Sequence, residues 1–381
     1  MQKVKSYAEI NEKIKKGEAV VFTASEFKEM ARRSKPDELV QKVDVVTTAT
    51  FGAMCSSGAF INFGHPGPPM RLEKLTLNDV PAYGGIAAVD AYIGATETAN
   101  PHDNYGGAHV IEDLIAGKDV SLKASSKGTD CYPRKEITTR VNIKDLNEAF
   151  MFNSRNAYQN YAAAVNSQRK KLYTYMGVLL PKYGNINYST SGEFSPLLND
   201  PYLRTIGIGT RVFLGGSQGF VAWNGTQFNT SRPRNEDGIP LLPAATLSLT
   251  GNLKEMSTDF IKAAYYEGYG TSLFVGVGIP IPVLDEDMAK RLAVRNEQIE
   301  TRVFDYGLHE RPVVTKTDYH KLQSGEIEVN GKKVRTAPLS SIKGAKQIMS
   351  LLKESLIKGE FFINEPVQLF PENTTVGPLK V

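Results

Sequence analysis

The segment VDVVTTATFGAMCSSG, residues 43–58, decides how the chain is read. Its first eight residues are rich in β-branched side chains, which suit a buried pleated surface, and they run directly into a Gly52–Gly58 loop carrying Cys55. A thiol is therefore expected just past the carboxyl end of a buried strand. Working outward, the stretch from Thr47 to Cys131 holds both cysteines and three of the five histidines. Val110, Ile111, Leu114 and Ile115 share a helical face closed by Gly117, and Val120, Leu122 and Ala124 then alternate with polar residues as in a strand. The loop leaving that strand, SSKGTDCYPRKE, carries Cys131. If these strands run parallel, their carboxyl-end loops converge on one crevice and both thiols face it. Antiparallel pairing would separate them.

The flanks continue the alternation of strand and helix. Ser6-Tyr7-Ala8-Glu9 is a capping box for a helix with Ile10 and Ile14 on one face, Ala19–Ala24 reads as a strand, and Ser25 is placed to cap a helix through Phe27, Met30 and Ala31. Residues 143–165 read as helical, with Leu146, Ala149, Phe150, Ala157, Tyr161 and Ala164 buried. Pro181–Pro201 is expected to be a long excursion or a subdomain junction. Asn224-Gly225 and Asn330-Gly331 each predict a type I′ hairpin, and Thr258 a helix through Phe260, Ile261 and Ala264. Leu273–Val277 is expected as a strand, and Asp285 or Asp287 opens a helix to about Ile299. A final helix carries Ala345, Ile348, Met349, Leu352 and Leu356 and ends at Gly359. The predicted class is α/β: mixed sheets flanked by helices, with β-hairpin insertions in the C-terminal half. A single domain over 1–381 is expected, or two intimately packed subdomains of about 1–180 and 181–381.

Composition narrows the function. A formal net charge of +4, spread over 45 basic and 41 acidic residues, leaves no basic stripe for nucleic acid, and no window is apolar enough for a membrane span. A cytoplasmic protein is expected. Two cysteines in 381 residues argue against a disulfide scaffold, and alone they cannot hold a standard four-cysteine iron–sulfur cluster.

Cys131 is the leading chemical candidate, because Lys123, Lys127, Arg134 and Lys135 surround it in sequence and cationic neighbours favour the thiolate. Cys55 reads either as a packing residue or as a thiol at an anion-binding turn. His65, in a proline-rich loop, could move a proton near neutral pH or serve as a hydrogen-bonded structural residue. His102 and His109, near Asp103 and Glu112, match no strong zinc pattern, and no metal is predicted. Gly207-Ile-Gly209-Thr-Arg-Val212 lacks the third glycine of a dinucleotide fingerprint, and no cofactor-binding residues are assigned. Arg71, Arg140, Arg204 and Arg211 are open candidates for clamping a carboxylate.

FGAMCSSGAFINFGHPGPPMR, followed by DAYIGATE, GGAHVIEDLIAGK, KGTDCYPR, NSRNAYQNYAAAVN, GIGTRVFLGGSQGFV and GTSLFVGVGIPIPVLDED, resembles the homocysteine biosynthesis family of anaerobic bacteria and archaea. The likeness spans nearly the whole chain. It implies an L-aspartate semialdehyde sulfurtransferase activity: sulfide sulfur is inserted reductively into the aldehyde to give L-homocysteine, on the route to methionine. By resemblance Cys131 would carry a persulfide and Cys55 would be a second participating thiol, with His65 as a possible acid. Electrons would come from a separate ferredoxin-like iron–sulfur protein, since no cofactor is firmly predicted in this chain. Many archaeal relatives add CBS modules, which are not expected after Gly359. A homo-oligomer is compatible with the sequence. Two other classes stay open: a sulfur-carrier or iron–sulfur scaffold protein, and a thiol-dependent transferase acting on another small carbonyl compound.

Overall fold

The structure, a computed structural model, describes residues 4–100 and 104–380. Its centre is the pairing of Val45–Ala53 with the long strand Gly270–Pro282, antiparallel from Ala53↔Phe274 to Val45↔Pro282. The β-branched run Val45–Thr50 is buried on both faces, as its composition required. The helix Ile342–Ile357 lies over this pair, its Met349 carbonyl accepting from Thr47 Oγ1 at 2.9 Å. Ile348, Met349, Leu352 and Leu356 supply its apolar stripe.

From this pair a 14-stranded sheet extends. On one side Val45–Ala53 takes Val21–Thr23 in parallel. On the other, Gly270–Pro282 leads through Arg211–Leu214, Ser217–Asn224, Leu247–Asn252, Glu148–Asn156 and Ser57–Asn62 to Asp90–Gly94, then Val80–Tyr83, Lys74–Leu77, Val120–Ser125 and Glu136–Val141, every pair antiparallel. A six-stranded sheet is built from Ala163–Val165, Asn185–Tyr188, Glu300–Asp305, Val313–Asp318, Glu326–Val329 and Lys332–Pro338. Each sheet draws strands from both halves of the chain. A short hairpin, Leu172–Thr174 with Gly177–Leu179, stands apart from both. The mixed α/β class is as expected; among the described residues no helix is long and apolar enough to cross a membrane.

Several local expectations are corrected. Residues 143–165 are not helical: Glu148–Asn156 is a strand, with Ala149, Met151 and Asn153 buried on one face and Phe150 exposed. The alternation of EAFMFN was the operative period. Thr258 opens no helix, because Ile261–Tyr266 pairs with the edge of Gly270–Pro282. Asn224-Gly225 turns no hairpin; the turn joining Ser217–Asn224 to its neighbour is Gly215-Gly216, at φ +61° and +105°. Asn330-Gly331 does turn one, with both residues at positive φ. Thr23, rather than Ser25, caps the helix Ala24–Ala31. The helix opened by Asp285 stops at Leu292, and Pro181–Pro201 contains the buried strand Asn185–Tyr188 and a buried helical turn, Pro196–Asn199.

Candidate active site

Where Val45–Ala53 leaves the sheet, the chain turns through Met54, Cys55 and Ser56 and re-enters as Ser57–Asn62. The turn is held at both ends: Met54 N donates to the Leu273 carbonyl at 2.7 Å, and Ser57 Oγ donates to the Met54 carbonyl at 2.8 Å. Buried Asn153 fixes it from below, donating to Ser57 Oγ at 2.8 Å and accepting from Ser56 Oγ at 3.2 Å. Ser56 Oγ is also 2.7 Å from the Arg155 carbonyl. The result is a rigid presentation of Cys55, half-buried and facing inward.

Cys55 lines a cavity of about 260 Å³ together with Arg155, Tyr158, Tyr161, Tyr175 and Tyr269, and with Ala53, Ser56, Met176, Ser189, Gln227 and Leu339 completing the wall. Its sulfur is 3.3 Å from Ser272 Oγ and accepts from the Tyr269 hydroxyl at 3.5 Å. Tyr161 donates to Tyr175 at 3.3 Å, and Tyr175 and Tyr306 share a 2.7 Å hydrogen bond, so phenols form a connected group on one side. Burial raises the pKa of Tyr158, Tyr161, Tyr269 and Tyr306, with the Cys55 sulfur adding to the effect on Tyr269. These hydroxyls remain protonated donors throughout the neutral range. Arg155 is the one charged residue in the lining.

The wall is closed by segments in uncommon backbone conformations. Ala157, Thr190 and Gln227 have φ of +49°, +72° and +64°. For Thr190 the branched Cβ makes this a real outlier, and such strain persists only where surrounding structure enforces it. Gly52 permits the other closure: a Cβ there would sit 2.7 Å from Ser340 Oγ, and this approach brings Leu339 over the cavity.

Cys131 is elsewhere. Thr129 and Tyr132 exchange backbone hydrogen bonds of 3.0 and 3.1 Å, leaving Asp130 and Cys131 exposed at the tip of the loop between Val120–Ser125 and Glu136–Val141. His65 is its neighbour, its ring stacked on Tyr132 at 5.6 Å, while Arg134 donates to the Gly67 and Pro68 carbonyls. The two thiols do not face one crevice: Ser57–Asn62 and Val120–Ser125, joined through three intervening strands by antiparallel pairings, run in the same sense, so a thiol before the first and a thiol after the second lie at opposite ends. Cys55 precedes Ser57–Asn62, whereas the Cys131 loop projects beyond the opposite end of the sheet, four strands away. Strand spacings of about 4.8 Å then put the sulfurs on the order of 20 Å or more apart. The cationic neighbours are also partly engaged: Lys123 pairs with Asp79 at 2.6 Å and Arg134 with carbonyls.

His109 accepts from the Gly106 amide at 3.2 Å and stacks on Tyr105, and burial lowers its pKa, so it is a neutral structural group. His102 and Asp103 lie outside the described residues. Among the described residues no group of histidine, cysteine and carboxylate side chains is placed to hold a metal ion. None of Arg71, Arg140, Arg204 and Arg211 lines the cavity, and Arg204 is taken up by Asp285 and Asp287 at 2.6 and 3.1 Å. Arg155 was missed because its segment, NSRNAYQN, reads as one polar helical face. In the fold Asn153, Gln159 and Asn160 are buried to bind backbone and side-chain groups, Asn156 is buried beside them, and Arg155 reaches the cavity.

An inward-facing thiol ringed by hydroxyl donors and one guanidinium makes this cavity the candidate small-molecule site. The family described as "Homocysteine biosynthesis enzyme, sulfur-incorporation" matches residues 19–363, and the chain belongs to that family. It is 50% identical over 379 residues to the L-aspartate semialdehyde sulfurtransferase of Methanosarcina acetivorans, covering 99% of this chain and 74% of that protein. It is 49% identical to the protein of the same name from Methanocaldococcus jannaschii, covering 96% and 73%. An uncharacterized protein of Methanothermobacter thermautotrophicus is 30% identical, covering 84% and 72%. No solved structure matches the chain significantly.

Proposed function

We propose that this protein is an L-aspartate semialdehyde sulfurtransferase, making L-homocysteine, and that Cys55 presents the sulfur that meets the aldehyde. The observation carrying this reading is the position of Cys55: a rigidly turned thiol inside a cavity of substrate size, with Tyr269 and Ser272 directed at its sulfur. Geometry favours Cys55 over Cys131 for contact with substrate, since Cys131 lies on an exposed loop. Cys131 would then serve at most in the supply of sulfur from outside, and His65, exposed beside it, would belong to that same end of the molecule.

The balance of the reaction fixes what else is needed. Aldehyde and hydrogen sulfide take up two electrons and two protons to give thiol and water. When sulfur is held on Cys55 as sulfane sulfur, two further electrons and two protons are required. The cavity lining offers phenols rather than carboxylates or imidazoles, so tyrosine hydroxyls are the proton donors to the aldehyde oxygen as charge develops there. The electrons come from a separate iron–sulfur protein. Mass spectrometry of the protein exposed to a sulfane-sulfur donor tests the assignment. Extra sulfur is expected on the peptide containing Cys55, and it should leave when semialdehyde and reductant are added. Sulfur confined to the Cys131 peptide and consumed there would overturn it.

A further inference from the structure

Arg155 has an unusual position for an arginine. Its Nε is buried without a hydrogen-bond partner, and among the described residues no carboxylate is paired with its guanidinium. Arg232 and Arg291 also have an unpartnered Nε, but neither lines the cavity, and the other nitrogens of Arg291 reach Asp287 at 3.1 Å and the Asp237 carbonyl at 2.9 Å. Among the described residues the side chain interacting with Arg155 is the Tyr158 phenol. A cation half-removed from water with a buried Nε unpaired and no carboxylate partner is costly, and its planar fork fits a bidentate anion that arrives from solution. The fork lies in the same small cavity as Cys55, on the strand whose Arg155 carbonyl is tied to Ser56.

We propose that Arg155 anchors the carboxylate of the substrate and thereby restricts the site to short aldehydes that carry one. The inference takes the identity of the substrate from the reading above, while its geometric content concerns any small carboxylate reaching Cys55. It also has a negative side. No Asp or Glu lines the cavity, so the ammonium group of an amino-acid semialdehyde gains no ion pair there. Recognition by charge is of the carboxylate alone, and succinate semialdehyde, which lacks the ammonium group, should occupy the site nearly as well as L-aspartate semialdehyde.

Alkylation tests this without turnover. Thiolate displaces iodide from either iodoacetate, which carries a carboxylate, or iodoacetamide, which is neutral and of similar size. The iodoacetate-to-iodoacetamide rate ratio is measured at Cys55 and at Cys131 by peptide mapping, the exposed Cys131 serving as reference within the same chain. In the native protein the ratio at Cys55 should exceed that at Cys131 by about tenfold or more, with iodoacetate saturating and succinate semialdehyde protecting. R155M should bring the ratio at Cys55 down to the Cys131 value while the melting temperature holds, since any change in thiolate fraction alters both reagents' rates alike and cancels in the ratio. R155K should restore part of the preference. Equal ratios at the two cysteines in the native protein, or an unchanged Cys55 ratio in a folded R155K or R155M protein, would overturn the proposal. Because no homocysteine is formed, these outcomes stand whether or not the sulfurtransferase reading survives its own test.

Discussion

The Tyr269 hydroxyl points at Cys55 Sγ from 3.5 Å, across the gap between the turn after Val45–Ala53 and the hairpin turn before Gly270–Pro282. With Ser272 Oγ at 3.3 Å, this places two hydroxyls where negative charge gathers when sulfur attacks or departs. Tyr269→Phe should therefore lower turnover by about 10²-fold, in the range for one catalytic donor, with little change in melting temperature. Steady-state assay beside thermal denaturation separates chemistry from folding; unchanged turnover would remove the phenol from the reaction.

Cys55→Ser should reduce homocysteine formation by about 10³-fold or more, because oxygen replaces the sulfur that carries the reaction. Cys131→Ser, assayed with a small-molecule sulfane-sulfur donor and reductant, should stay within a few fold of the native protein. Reversal of that order would return the principal role to the exposed loop.

Buried phenols make the fold sensitive to alkali. Tyr161, Tyr266, Tyr269 and Tyr306 all have raised pKa values, chiefly through burial, Tyr266 at about 12 against an ordinary 10.0. Since the folded values exceed the unfolded one, their stabilising effect is whole below pH 10.0 and is lost as pH climbs toward the folded values. Absorbance at the phenolate band and far-ultraviolet dichroism should change together on alkaline titration. Ionisation of these tyrosines near pH 10 in a still folded chain would contradict the buried network.

Lys28 has the opposite linkage. Its Nζ donates to Asn199 Oδ1 at 2.8 Å and the Leu292 carbonyl at 2.7 Å, and burial lowers its pKa to about 7 from 10.5. With the folded value depressed, its contribution is full above the unfolded pKa and declines as pH falls toward 7, by about 1.4 kcal/mol per unit. Denaturant titrations should show that slope between pH 7 and 10 in the native protein and its removal in Lys28→Met.

Gly52→Ala would push a methyl against Ser340 Oγ, 2.7 Å from the ideal Cβ position. A cost of about 1–3 kcal/mol is expected, with KM rising as Leu339 is displaced from the cavity wall. Both are read from denaturation and initial-rate curves.

Much of the scaffold is visible in local sequence where one residue type settles one conformation. The Ser6 capping box forms as written, and Asn330-Gly331 supplies the two positive φ values its turn demands. Residues 143–165 mislead because Asn153, Asn156, Gln159 and Asn160 fall at helical spacing while Phe150 and Met151 alternate across a sheet, and only the partner strands decide between the periods. Cys131 has cationic neighbours in sequence, Lys123, Lys127, Arg134 and Lys135. In space two of its four basic neighbours, Lys123 and Arg134, turn to Asp79 and to the Gly67 and Pro68 carbonyls, whereas Cys55 gains its setting from Tyr269 and Ser272, more than two hundred positions downstream. The residues flanking either cysteine do not reveal that one lines a cavity and the other is exposed, since long-range strand pairing sets both surroundings.

The Cys55 cavity is assembled from pieces scattered between Ala53 and Leu339. No contiguous fragment retains more than a part of it, so unfolding of the strands and turns that carry the lining dismantles the cavity. Heat inactivation should coincide with the global melting transition, and on cooling, recovered catalysis should count native molecules one for one.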